Sequence, residues 1–117
     1  MTQRATITLV TTGRRSGQPR KATLYAFPDP AGLVIVGSVG GAPHHPAWVH
    51  NLRAQPRAAV RRGGVEQPVA AREVPEGAER ERLWQLVTGA FPLYATYQRR
   101  TSRTIPLFVL ESAGRDA

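Results

Sequence analysis

Turn-forming residues punctuate this chain too often for a doubly wound βαβ sheet. Glycine or proline interrupts it at residues 13–20 (GRRSGQPR), 28–32 (PDPAG), 40–43 (GGAP) and 63–64 (GG). The segments between these interruptions are short, and they are β-branched or apolar, as strands require. Residues 6–12 (TITLVTT) and 21–27 (KATLYAF) read as the two arms of a first hairpin. Residues 33–38 (LVIVGS) form a continuous apolar run, which predicts a strand buried on both faces. Residues 57–62 and 65–74 read as two more strands joined at Gly63-Gly64, and residues 105–111 (IPLFVLE) as the last.

Helical spacing enters at three places. Residues 45–55 (HPAWVHNLRAQ) place Trp48, Val49 and Leu52 on one face, with Pro46 suited to the first turn and Pro56 ending the segment. Residues 76–90 repeat Leu83, Trp84, Val87 and Ala90 at helical spacing, with acidic residues in the first turn. Residues 91–100 continue as a second short helix after Pro92. The expectation is a single domain over residues 1–117. It has about six antiparallel strands closed on themselves, with two or three short helices packed over the openings. Closure removes exposed strand edges. A chain this long buries roughly two-thirds of its unfolded surface, enough for one modest core.

Composition narrows the chemistry. There is no cysteine, which excludes a disulfide framework, a thiolate metal site and a cysteine nucleophile. No apolar run is long enough to span a bilayer or to serve as a signal peptide, so the expected location is the cytoplasm. The formal net charge is +8, and 15 of the 16 basic residues are arginine. A guanidinium fork grips phosphates and carboxylates bidentately, so this excess points to an anionic partner: nucleic acid or a polyanionic small molecule.

The turn Gly13-Arg14-Arg15-Ser16-Gly17-Gln18-Pro19-Arg20-Lys21 is the most informative segment. It sets four cations and a hydroxyl around two glycines, where backbone amides can face an anion. Arg15, Arg20 and Ser16 are candidate ligands for phosphate oxygens; a solvated hairpin turn is the plain alternative, and the residues alone leave both open. The GxxxxGK[ST] phosphate-loop spacing is absent. The stretch Gly37-Ser38-Val39-Gly40-Gly41-Ala42-Pro43 would let a flat ring lie against backbone, with Ser38 as a donor, or it is a glycine-rich exit turn. His44, His45 and His50 lack metal-site spacing and no carboxylate lies among them, so no metal is expected. Asn51 either bonds a ligand or caps a turn. Phe91, Tyr94 and Tyr97 recur every third residue, as core packing or as the wall of a pocket. No nucleophile–base pair or carboxylate couple stands out, so any chemistry falls to a cofactor.

Three segments together carry a resemblance: TTGRRSGQPRKATLY, LVIVGSVGGAPHHPAWVHNLRAQPRAAV and FPLYATYQRRTSRTIPLFVLE, with the long central pattern SxGGAPxHPAWxHNLxAxP. Over residues 6–111 the chain resembles the deazaflavin (F420)-dependent nitroreductase family. The resemblance implies a split β-barrel, related to the flavin-binding pyridoxamine-phosphate-oxidase-like proteins. It also implies coenzyme F420, whose tail carries a phosphate and several glutamates. It places Arg14, Arg15, Ser16 and Arg20 at that tail. Ser38, Gly40, Gly41 and Ala42 would lie near the deazaflavin ring, with Trp48, His50 and Asn51 on the adjoining helix and Tyr25 beside the cofactor. Tyr94 and Tyr97, with Phe91, would line the substrate side, and Ser38, Tyr94 and Tyr97 are the implied catalytic residues.

The implied reaction is hydride transfer from reduced F420 to a small electron acceptor: a quinone, an enone or a nitroaromatic. Two departures from the family pattern stand out. Val39 takes the place of a lysine that helps hold the tail in many relatives, and Phe91 the place of a tyrosine in some nitroreducing members. The chain begins almost at its first strand, which leads to the expectation of an open pocket. An FMN-binding barrel, an F420 binder without turnover and a basic nucleic-acid-binding barrel are the alternatives. The last lacks an aromatic-rich strand for stacking bases, so no nucleic acid is expected. Related barrels often dimerise, which makes a homodimer the expected assembly.

Overall fold

The computed structural model describes residues 4–113. Its elements in chain order are β1 (Ala5–Thr12), β2 (Pro19–Asp29), β3 (Gly32–Val36), a 3-10 turn (Val39–Gly41) and α1 (Ala47–Ala54). They continue with β4 (Arg57–Arg62), β5 (Val65–Glu73), α2 (Ala78–Ala90), α3 (Leu93–Arg99) and β6 (Leu107–Ser112). The six strands form one closed antiparallel barrel in the order β1-β2-β3-β6-β5-β4, sealed where Leu9 of β1 faces Val60 of β4. The expected strand count and antiparallel closure are thus observed.

Side-chain alternation sorts the core into two clusters. Ile7, Leu9, Ala26, Ile35, Val60, Val69, Phe108 and Leu110 fill the interior, joined by Trp48, Val49 and Leu52 of α1. The opposite faces of β3 and β6 supply Val34, Val36, Leu107 and Val109, which pack with Leu83 and Val87 of α2 and Tyr94 of α3. Adjacent strand residues point to opposite faces, so Ile35 and Phe108, paired across the sheet, face inward while Val34 and Val109 face the helices. This is the two-faced burial that the apolar run LVIVGS predicts. The helices therefore divide the work differently from the expectation. Only α1 joins the barrel interior, whereas α2 and α3 cover the barrel's side wall.

Local chemistry accounts for the boundaries. Gly63 and Gly64 have φ of 56° and 81°, the pair of left-handed residues that a tight I′ hairpin needs. The β2–β3 turn starts later than the PDPAG motif indicates, because Pro28 still pairs with Leu33. There the Asp29 carboxylate accepts from the Ala31 N–H at 3.0 Å. Pro46 precedes α1 with extended backbone (ψ 155°) instead of forming its first turn. Phe91 is the corner between α2 and α3, its N–H bonded to the Val87 carbonyl, so it lies outside the helix that carries Tyr94 and Tyr97. No helix of the described residues is long and apolar enough to cross a membrane.

Replacing Ile35 by Ala empties the barrel interior, and replacing Leu107 by Ala empties the helix-covered face. Each is expected to cost about 2–5 kcal/mol, measured as a fall in the urea midpoint at constant slope. A face that tolerates its substitution is not buried as described.

Candidate active site

The basic turn folds back onto α1. Asn51 is 5% exposed; its Oδ1 accepts from the Arg14 N–H at 3.0 Å and its Nδ2 donates to Thr11 Oγ1 at 3.0 Å. One buried amide thus ties the end of β1, the turn and the helix together. The Gly17 N–H closes the turn on the Gly13 carbonyl, and the Gly13 N–H bonds the Gln18 carbonyl. Ser16 Oγ accepts from both the Gln18 N–H and Arg20 Nη2, at 3.1 and 3.2 Å. Its acceptor capacity is used, so its own proton is left to donate outward.

The result is a hollow of about 370 Å³ lined by Arg14, Arg15, Ser16, Arg20, Lys21 and Asn51, among others. No carboxylate lines it, and none of its four cations enters an ion pair among the described residues. Elsewhere five of the seven described acids are taken up: Arg53 pairs with Glu73, Arg61 with Glu66, Arg72 with Glu79 and Glu111, and Arg82 with Asp29. The turn is therefore a concave, uncompensated positive site.

A second hollow of about 230 Å³ adjoins the first. It is lined by Thr23, Leu24, Tyr25, Val36, Ser38, Val39, Pro46, Trp48 and Tyr94. The two share β2, passing from Lys21 to Thr23 over roughly 7 Å of strand. They also share the start of α1, where Ala47 lines one and Pro46 and Trp48 the other. Seven of its nine lining residues are apolar or aromatic, while polar atoms make up about half of the surface they show it. Tyr94 is buried, in edge contact with Phe27 and Phe91. Desolvation, with smaller contributions from Tyr25 and Tyr97, pushes its hydroxyl up to about 12. Tyr94 is consequently a neutral phenol at physiological pH, able to donate a hydrogen bond and slow to release the proton. Ser38 makes no side-chain hydrogen bond to protein among the described residues, so its hydroxyl is available to a ligand.

The loop carrying Ser38 reverses sharply: Val39, Gly40 and Gly41 all have positive φ (43°, 59° and 84°). Gly41 lies against the Tyr97 backbone, where a Cβ would come within 2.7 Å of its carbonyl oxygen. Behind the loop, Arg103 donates to the carbonyls of Ala42, Gly37 and Ser38 at 2.8, 3.0 and 2.7 Å, and meets His45 Nδ1 at 2.8 Å.

Of the residues singled out from the sequence, Arg14, Arg15, Ser16, Arg20 and Asn51 share the basic hollow, and Tyr25, Ser38, Trp48 and Tyr94 share the flat cleft. Gly40, Gly41, Ala42, His50 and Tyr97 line neither. Ala42 turns its carbonyl to Arg103, and Tyr97 packs within the aromatic group of Tyr25, Phe91 and Tyr94. The His50 ring lies 5.6 Å from that of His45; desolvation, then Arg14 and Arg53, holds its pKa below the ordinary value. Among the described residues no group of three or more His, Cys, Asp or Glu is placed to hold a metal. Lys21, Thr23, Leu24, Val36 and Pro46 join the linings without having been singled out; for Lys21 the signal was its place in the basic turn. No local pattern marks Arg103, because its partners lie about sixty residues away.

Comparison with known proteins gives the same outline. The chain is 41% identical over 104 residues to an F420H(2)-dependent quinone reductase from Mycobacterium tuberculosis, covering 87% of this chain and 70% of that protein. Among solved structures it resembles an F420-H2 dependent reductase (FDR-A), with a TM-score of 0.80 and 40% identity, covering 91% of this chain and 93% of that one. It also resembles a domain-swapped dimer, with a TM-score of 0.81 and 40% identity, over 91% of this chain and 79% of the other. The match to the family model spans residues 1–112, and this split-barrel chain belongs to the F420H(2)-dependent quinone reductase family.

Proposed function

We propose that the protein binds coenzyme F420 across the two adjoining hollows and uses its reduced form to reduce a quinone. The observation that carries this reading is their juxtaposition: an acid-free cluster of four cations beside a cleft lined largely by apolar and aromatic residues, with a serine and a neutral phenol. A ligand with a planar ring and a polyanionic tail fits both halves. Arg14, Arg15, Arg20 and Lys21, with the Ser16 proton, would hold the phosphate and carboxylates of the tail. Leu24, Tyr25, Val39 and Trp48 would enclose the ring. Asn51 acts from behind by holding the turn in place.

When bound, the reduced cofactor supplies a hydride. The chain's part is to fix the acceptor beside the ring, to exclude water and to donate hydrogen bonds. Ser38 Oγ and Tyr94 Oη are the donors suited to the oxygen of the acceptor as negative charge grows on it. Tyr97 and Phe91 extend the aromatic wall beyond Tyr94. Enones and nitroaromatics are acceptors of the same electron-poor kind, and nitroreduction is a secondary activity on this reading. A cytoplasmic setting is supported by the lack of cysteine and of a membrane-spanning helix among the described residues. A homodimer is supported by the dimeric structural relative.

Charge reversal of Arg15 or Arg20 to Glu is expected to weaken F420 binding, followed by cofactor fluorescence, at least tenfold. Both side chains are exposed, so stability should shift by no more than about 0.5 kcal/mol. Absence of micromolar F420 binding by the unaltered protein overturns the cofactor assignment.

Asn51→Ala should lower affinity and stability together, the latter by about 1–3 kcal/mol, because Thr11 and the Arg14 amide lose their partner. Thermal melting beside the same titration checks this.

Ser38→Ala and Tyr94→Phe should slow quinone reduction by roughly 10²-fold while F420 affinity holds within a small factor. Unchanged single-turnover rates would remove both residues from the chemistry.

A further inference from the structure

We propose that Arg103 is the positioning residue of the flat cleft, acting through the carbonyls of Gly37, Ser38 and Ala42, and that it acts only while His45 is neutral. The clause about cofactor affinity below rests on the reading of that cleft as the F420 ring site; the clasp itself does not.

Ser38 presents its side chain to the cleft and its carbonyl to Arg103 Nη2. Displacing that carbonyl therefore displaces the serine. The neighbouring Val39 also lines the cleft and holds φ at 43°, an unfavourable region for a β-branched residue. Such a conformation persists where its surroundings over-determine it. The Arg103 fork supplies that constraint, since its Nε, Nη1 and Nη2 reach carbonyls on both sides of the reversal. Arg103 has no carboxylate partner among the described residues, so its charge is met by these carbonyls and one imidazole. A lysine could not reproduce the planar set of donors.

The contact with His45 is a switch by its chemistry. A guanidinium has no acceptor, so His45 Nδ1 must accept, which puts the ring proton on Nε2 and leaves the imidazole neutral. Protonation would set an N–H against an N–H at 2.8 Å. The groups facing His45 are Arg53 and His50 of α1, Glu73 of β5, and Arg103 itself. Burial first, then Arg53, Arg103 and His50, hold its pKa below the ordinary histidine value, with Glu73 opposing weakly. The clasp is thus closed at neutral pH, and its contribution is lost as pH falls through that lowered value.

The test compares the unaltered protein with Arg103→Lys and His45→Gln, whose amide oxygen can accept but does not titrate in this range. Amide exchange is read at Gly41 and Ala42, whose N–H groups bond the Ser38 and Val39 carbonyls at 2.9 and 3.0 Å. F420 titration is run on the same samples, from neutral pH down through the protonation of His45, which is followed by the NMR shift of its ring. After correction for intrinsic exchange, protection in the unaltered protein should fall about tenfold on acidification. It should stay level in His45→Gln and be low throughout in Arg103→Lys. F420 affinity should follow the same order, and its ratio to that of His45→Gln cancels any titration of the cofactor itself. Equal, pH-independent protection in all three proteins overturns the clasp even if F420 binds. Failure of the unaltered protein to bind F420, with the protection pattern as expected, overturns the cofactor reading and leaves the clasp standing.

Discussion

Strands β3 and β6 carry the molecule, because both of their faces are dry. Ile35 and Phe108 meet the barrel interior while Val34 and Val109 meet the helices, and each strand is therefore held by two cores at once. Moving either strand would open contacts on both sides, at about 25 cal/mol for each Å² of apolar surface returned to water. The flat cleft depends on this pair. Val36 at the end of β3 lines it, the Ser38 loop leaves from that end, and the segment entering β6 bears Arg103. A run of glycines thus hangs from the two strands that are buried on both faces.

Charge is distributed with a similar division. Four arginines are paired with carboxylates. The exposed single contact of Arg61 with Glu66 adds little, whereas Arg53, Arg72 and Arg82 each grip a carboxylate with two N–H groups, and Asp29 beneath Arg82 is only 3% exposed. Four of the five N–H groups of Arg103 are taken by carbonyls and His45. The cations of the basic hollow have neither kind of compensation, so they repel one another until an anion arrives. A ligand that neutralises them binds the folded state alone and raises its stability in proportion to the logarithm of its concentration. The hollow is in this sense a small loss of stability in the free protein that bound ligand reverses.

Much of this was legible in the sequence, for identifiable reasons. Short β-branched runs and the Gly63-Gly64 turn reveal strands because they depend on neighbours alone. The continuous run around Ile35 reveals two-faced burial because none of residues 33–37 has a polar side chain. The basic turn was visible as composition, and its four cations do line one concavity. What stayed hidden was long-range. Arg103 looks like any other surface arginine until folding brings it to the loop at residues 37–42. Asn51 could have been ligand or cap, and the geometry shows a buried tie between Thr11 and Arg14. Helical spacing put Phe91 in line with Tyr94 and Tyr97, but Pro92 starts the helix anew and leaves Phe91 at the corner.

Closure of the barrel has a consequence for self-association. The ring is closed but not laddered throughout: among the described residues β2 pairs with β1 from Pro19 to Ala26 yet with β3 only from Phe27 to Asp29, so the second edge of its first half is open. Two copies can then meet through side chains, by pairing backbone at that edge, or by one releasing a segment and threading it into the other. Only the last route requires the hydrogen-bonded ring to come apart, so its barrier approaches that of global unfolding. Monomers and exchanged dimers of such a barrel would behave as separable species that interconvert over hours, with their proportions set by the history of the sample as well as its concentration.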